Sequence, residues 1–143
     1  MNRLPPKSTG RDLFNASWLD ARLRTAVAVE RRAEDVMATL AEFTARGAVD
    51  ALARHAPNRQ RLLVCGGGAF NGHLMRRLQA LLGTDLAVCS TESEGVSPDR
   101  VEALAFAWLA GQFVGRRPGN LPAVTGAAGP RVLGALYPGR CSA

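Results

Sequence analysis

This sequence predicts an α/β fold, a mostly parallel sheet flanked by helices, and three observations carry the prediction. Segments of helical and strand-like patterning alternate along the chain, helix, strand, helix, strand, helix. Both strand-like segments are brief continuous apolar runs, as expected of strands buried on both faces. The first run ends in three consecutive glycines that lead straight into a helix. That order implies right-handed crossovers between parallel strands.

The elements follow in order. Residues 1–15 hold Leu4-Pro5-Pro6 and Ser8-Thr9-Gly10, a turn-rich stretch that reads as a connector. A short helix is expected near Ala16–Leu23, capped by Asn15 or Ser17. The first long helix spans about Glu34–Arg54, with Val36, Leu40, Phe43, Gly47 and Ala51 as its apolar stripe. Glu34 and Asp35 suit its positive end, and Pro57-Asn58 closes it. Leu62–Cys65 is the first strand. Asn71–Leu82 forms the next helix, with Leu74, Leu78, Leu81 and Leu82 on one face and Gly83 as its stop.

Leu86–Cys89 is the second strand. Ser97-Pro98 supplies a cap and a first-position proline for a third helix. That helix is expected to bury Val101, Leu104, Ala105, Trp108 and Leu109 and to end at Gly115. Val132–Tyr137 is read as an edge strand or a docked tail. Two strands make a thin sheet, since independent stability generally needs three or more. The sheet is therefore expected to be incomplete, part of a larger enzyme or docked onto another chain. The division expected is a connector and short helix over residues 1–30 and a lobe over residues 31–143.

Composition narrows the class. A chain of 143 residues, 47% apolar and 21% charged, holds one core and not two ordinary domains. No apolar run approaches the roughly 18 residues of a membrane helix, and no secretory signal opens the chain. Cys65, Cys89 and Cys141 form no Cys-x-x-Cys unit and no disulfide framework. A cytoplasmic protein is expected. The net charge is +6, but of 18 basic residues only Lys7 is a lysine, and the arginines are scattered without interleaved aromatics. A solvated surface is the reading, with neither nucleic acid nor membrane as partner.

The sharpest local feature is Cys65-Gly66-Gly67-Gly68-Ala69-Phe70-Asn71, between a strand and a helix. Ligands of parallel sheets bind at the carboxyl ends of strands. Consecutive glycines let a base, ribose or phosphate approach the backbone itself, and the helix start favours anions. Mechanically this is a nucleotide-binding turn; a tight turn that binds nothing is the alternative. It is not a P-loop, because Gly-Lys-Ser/Thr is absent. It is not the dinucleotide fingerprint either, because Asn71 stands at the third glycine. Glu102 is the second candidate, a carboxylate on the margin of the third helix's stripe that is able to accept a hydrogen bond from a hydroxylated substrate. Its alternative is a first-turn glutamate that complements the helix dipole. His55 and His73 lack partners at metal-ligand spacing. No Gly-x-Ser-x-Gly elbow occurs, Cys65 and Cys89 read as small core residues, and no general base stands out.

Four segments together carry a resemblance. Pro6–Asn15, Leu63–Ala69, Val101–Ala110 (Val-Glu-Ala-Leu-Ala-Phe-Ala-Trp-Leu-Ala) and Gly119–Ala127 resemble anhydro-N-acetylmuramic acid kinase, in family order and over nearly the whole chain. The resemblance implies the C-terminal lobe of an actin-like (sugar kinase/Hsp70/actin) ATPase fold. It also implies ATP with Mg2+, and a phosphotransferase with an alcohol acceptor. That reaction opens the 1,6-anhydro ring of anhydro-N-acetylmuramic acid with water and phosphorylates O6, giving N-acetylmuramate 6-phosphate in cell-wall recycling.

By the same resemblance, Gly66, Gly67, Gly68 and Ala69 are nucleotide-binding and Glu102 lies on the sugar side. The Asn120–Ala127 loop is a family marker. Phe70 stands where related sequences often carry a polar or basic residue. The family's N-terminal motif Met-Ser-Gly-Thr-Ser-x-Asp-Gly is absent, as is the aspartate that activates water. No catalytic residue is therefore expected in this chain, which by itself is expected to be inactive. A missing N-terminal lobe, in cis or in trans, is the expected partner, and a homo-oligomer is left open. The rival reading is a non-catalytic nucleotide-binding or scaffold module.

Overall fold

A computed structural model describes residues 10–25 and 31–139. Pro6–Thr9 of the first resembling segment and Cys141 lie outside the described residues. The described elements are α1 (Ala16–Thr25), α2 (Ala33–His55), β1 (Arg61–Val64), α3 (Gly72–Leu82), β2 (Ala87–Ser90), α4 (Val101–Val114) and the single helical turn α5 (Pro122–Thr125). Two compact units emerge, Glu30–Ala105 and Met1–Val29 with Phe106–Ala143.

The Glu30–Ala105 unit is a mixed α/β body. β1 and β2 pair in parallel, from Arg61 opposite Ala87 to Val64 opposite Ser90, with α3 as the connection between them. The strands are short because each is bounded by turn chemistry, the glycines after β1 and Gly83 before β2. Gln79 ties α3 to the second strand. Its Nε2 donates to the Gly83 and Leu86 carbonyls at 2.6 and 2.9 Å, and its Oε1 accepts the Val88 N–H at 3.0 Å. That side chain replaces a strand along the outer side of β2.

α2 packs against α3. Sequence periodicity put an apolar stripe on Val36, Leu40, Phe43, Gly47 and Ala51; Val36, Leu40 and Gly47 are half-buried and Phe43 and Ala51 are exposed, while the fully buried position is Ala45. Ala41, Ala48 and Leu52 flank Ala45 and are half-buried. Small residues let two helix backbones approach closely, which suits the fully buried position on α2. Beyond Ala45, the core among the described residues is Leu78, Leu86 and the buried ring of Pro98.

The α2–α3 contact is edged by ionic bonds. Glu42 accepts from Arg77 Nε at 2.7 Å and Nη2 at 3.3 Å, and from Arg46 Nε at 2.7 Å. The Arg77 hydrogen bond is the main reason that its carboxyl is held below the ordinary glutamate value of 4.5; burial opposes it, and Arg46 adds to it. A depressed carboxyl stabilises the fold above its unfolded value and loses that contribution as pH falls through its folded one. Glu42→Gln is thus expected to melt below the parent at neutral pH. The gap should close as pH drops below 4.5 in a series of thermal melts.

Two sequence expectations are corrected. α4 does not bury Val101, Leu104, Ala105, Trp108 and Leu109. None of its residues is buried, and Leu104 and Trp108 are 54% and 55% exposed, while the chain that follows comes close to Leu109 at Gly119 and to Phe113 at Gly134. α4 ends at Val114 with Gly115 next, where the sequence placed its stop, and Arg116 takes the left-handed position at φ 50°, with the Arg117 N–H donating to the Gln112 carbonyl at 2.8 Å. Of the two expectations for Val132–Tyr137 the edge strand is overturned: the segment is irregular chain that comes close to Phe113 at Gly134, with Leu136 and Tyr137 at 74% and 89% exposed. The cap of α1 is settled as Asn15, whose Oδ1 accepts the Trp18 N–H at 3.0 Å. No helix among the described residues is long and apolar enough to cross a membrane.

Candidate functional site

The glycine turn begins where β1 ends. Gly66 leaves the strand at φ 69° and ψ −168°, a backbone region essentially closed to residues with a side chain. Its N–H donates to the Pro98 carbonyl at 2.8 Å, so the turn is moored to the segment that launches α4. A 3-10 turn over Gly67–Phe70 follows, in which the Ala69 N–H donates to the Gly66 carbonyl at 3.1 Å. The sequence suggested a helix starting at Asn71. Instead Asn71 is the cap of α3, its Oδ1 accepting the Leu74 N–H at 3.1 Å. The 3-10 turn absorbs the change of direction between strand and helix.

The space in front of this turn is open. A Cβ placed on Gly66 or Gly67 would meet nothing within 4 Å, and one on Gly68 would touch only Leu74 Cδ2 at an ordinary 3.5 Å. Gly66 is needed for its backbone angle. Gly67 is needed for neither angle nor packing, so the chain's own fold does not account for it. The first N–H groups of a helical turn have no partner inside it, which gives this opening a polar floor. Ala69 is half-buried, and Phe70 is 64% exposed at the end of the turn.

Sequence reasoning missed Thr91. It follows β2 directly, one residue beyond the last strand pair, and its hydroxyl oxygen is buried with no hydrogen-bond partner. Buried polar groups in native folds are nearly always satisfied, so such an oxygen marks a position for a water or a ligand group. The hydroxylated pair Ser90-Thr91 at a strand's carboxyl end was the available signal. Glu102 is exposed in the first turn of α4, in the same unit as the glycine turn. Its position is fixed by Pro98-Asp99-Arg100, a 3-10 turn that precedes the helix. The expected Ser97 backbone cap is absent, because its hydroxyl bonds the Asp99 carboxylate at 2.6 Å.

Cys65 is exposed, which corrects its reading as a core residue, and Cys89 is half-buried; both are free thiols. His55 and His73 are exposed. No group of three His, Cys, Asp or Glu able to hold a metal occurs among the described residues. The Asn120–Ala127 loop is stapled by its own first residue. Asn120 Nδ2 donates to the Gly129 carbonyl at 3.1 Å and its Oδ1 accepts the Arg131 N–H at 2.6 Å. The Gly119 N–H donates to the Arg131 carbonyl at 3.0 Å. Both polar ends of the Asn120 amide are used inside the loop, so this residue serves the turn itself.

The chain is similar to known proteins along almost all of its length. The family model described as anhydro-N-acetylmuramic acid kinase matches residues 2–139. The protein named anhydro-N-acetylmuramic acid kinase from Cupriavidus pinatubonensis (strain JMP 134 / LMG 1197) is 57% identical over 138 residues, 96% of this chain and 36% of the relative. Its namesake from Burkholderia orbicola (strain MC0-3) is 56% identical, covering 94% and 35%. The one from Pseudomonas paraeruginosa (strain DSM 24068 / PA7) is 53% identical, covering 93% and 36%. The chain thus spans about a third of the length of the curated relatives it matches. With a family match over residues 2–139 and relatives of that name above 50% identity, the chain belongs to the anhydro-N-acetylmuramic acid kinase family.

Proposed function

We propose that this chain supplies the nucleotide side of an ATP-dependent kinase acting on anhydro-N-acetylmuramic acid. Gly66, Gly67, Gly68 and Ala69 receive the adenosine end of ATP, and Glu102 faces the sugar. Residues 31–143 make up the nucleotide-binding lobe of an actin-like fold, and residues 1–30 connect it to the rest of the enzyme. The supporting observation is Gly67. It has no steric or conformational need to be glycine, and it lies in an open, backbone-lined turn at a strand's carboxyl end. Thr91 adds an unpartnered hydroxyl beyond the end of β2.

In this reading the backbone N–H groups of the turn orient the nucleotide. The exposed Glu102 carboxylate accepts a hydrogen bond from a sugar hydroxyl and holds it in place. Positioning and electrostatic stabilisation account for nearly all of the catalysis in phosphoryl transfer. The overall reaction adds water across the 1,6-anhydro bond and moves the terminal phosphoryl group of ATP to O6, releasing ADP. A Mg2+ ion that accompanies the nucleotide keeps most of its ligands from phosphate and water, and the described acidic residues form no cage for it. The water-activating base and the phosphate loop are contributed by family sequence outside this segment, in a cytoplasmic enzyme.

Calorimetry with ATP tests the reading, on the chain itself and on a chimera in which it replaces the matching segment of the Cupriavidus pinatubonensis relative. ATP binding with a Kd of about 1 mM or tighter, and phosphorylation of the anhydro sugar by the chimera, are expected. Binding without turnover would favour a nucleotide-binding module that has lost the reaction. The absence of both would overturn the proposal.

A further inference from the structure

Resting on that reading, we propose that the Phe70 ring is the platform on which the nucleotide base stacks, so that the phosphoryl donor is recognised by the flat face of its base and not by its edge. The consequence is a site indifferent to which purine its triphosphate carries. Gly67–Phe70 is one 3-10 turn, and side chains three residues apart in such a turn lie one above the other. Phe70 therefore shares a face of the turn with Gly67, which is bare backbone with nothing within 4 Å of where a Cβ would be. At about 2 Å of rise per residue the two positions are about 6 Å apart, a gap that takes a single planar group.

The ring has no competing role. Phe70 precedes Asn71, the cap of α3, and an apolar residue in that place often packs against the fourth residue of the helix, here Met75. Such packing buries the residue, whereas Phe70 is 64% exposed. Among the described residues, the ring pair and the cation–π contact both involve Trp18 and leave Phe70 without an aromatic or cationic partner. A docked protein segment does not fit the place either. Gly66, Gly67, Gly68, Asn71, Gly72 and His73 surround Phe70 in the chain without adding an aliphatic side chain, so the apolar patch is the size of one ring.

Exposed aromatic rings hold nucleobases by stacking, and they do so with little discrimination because every base has a π-face. Reading the edge of a base takes polar side chains. Gly66 to Ala69 carry none, and Asn71 Oδ1 already accepts the Leu74 N–H at 3.1 Å. A site built to hydrogen-bond its substrate rejects an analogue strongly, and an apolar face does not.

Triphosphate titrations of the chain, with proton NMR of the bound nucleotide, test the proposal. GTP is expected to bind within about threefold of ATP. Phe70→Leu should weaken both by about fivefold to a hundredfold while melting with the parent, and Phe70→Trp should bind as the parent does. At saturating ATP the adenine H8 and H2 resonances are expected to move upfield under the ring current of Phe70 and to return in Phe70→Leu. A residue that merely shaped the turn would produce no such shift. On the chimera, GTP should pass its terminal phosphoryl group to O6 in place of ATP, releasing GDP. Parental ATP affinity in Phe70→Leu, bound ATP with no upfield shift, or a preference for ATP over GTP beyond about tenfold would each overturn this proposal and leave the nucleotide reading standing. Failure of the chain and the chimera to bind either triphosphate would sink both.

Discussion

Gly67→Val is expected to weaken ATP binding by about tenfold to a hundredfold, or about 1.4–2.8 kcal/mol, while thermal unfolding stays within about 0.5 kcal/mol of the parent. The two halves of that result have separate causes. A Cβ at Gly67 meets nothing within 4 Å and the residue holds no left-handed angle, so the fold accepts a side chain there. A nucleotide seated against the bare turn does not, because inserting methyl groups into a close contact typically destabilises by about 1–3 kcal/mol. Gly67→Ala sharpens the contrast. It restricts the unfolded chain and should raise stability by roughly 0.4–1 kcal/mol while still lowering affinity. Unchanged ATP titrations for both variants would mean that the turn holds no ligand, and collapse of the fold would make Gly67 structural.

Gly66→Ala should do the reverse. At φ 69° and ψ −168°, any L residue is strained by about 1–3 kcal/mol, whatever space surrounds it. The Gly66 N–H also donates to the Pro98 carbonyl, and a backbone that relaxes out of strain gives up that bond. The loss expected is about 2 kcal/mol, which lowers the melting temperature of a chain of 143 residues by roughly 4–8 °C. ATP affinity of the remaining folded protein should change less than in Gly67→Val. Differential scanning calorimetry and ATP titration on the two variants side by side separate the residue that shapes the turn from the one that leaves it open. A Gly66→Ala protein as stable as the parent would contradict the backbone assignment.

What the sequence disclosed, and what it withheld, divides along a physical line. Features set by neighbours in the chain were legible. The apolar runs gave both strands to within a residue, Gly83 marked the end of α3, and the glycine triplet at a strand end located the turn. Features set by partners far along the chain were not. Nothing local indicates that Gly66 is moored to Pro98, that Glu42 reaches Arg77 on the next helix, or that Gln79 lies along β2. The apolar pattern of α4 predicted burial, and the described residues leave Leu104 and Trp108 more than half exposed. On α2 the stripe caught the half-buried Val36, Leu40 and Gly47 but passed over Ala45, because periodicity weighs hydrophobicity and ignores how near a second helix must come. Thr91 escaped notice because a hydroxyl is conspicuous only once its surroundings leave it unanswered.

The mooring between Gly66 and Pro98 has a thermodynamic consequence. One hydrogen bond joins the peptide that opens the glycine turn to the peptide that starts α4, so neither shifts without the other. Whatever seats itself on the turn therefore biases the posture of α4, and whatever clasps α4 biases the turn by the same free energy, since binding linkage is reciprocal. Severing that bond would weaken the linkage between the two.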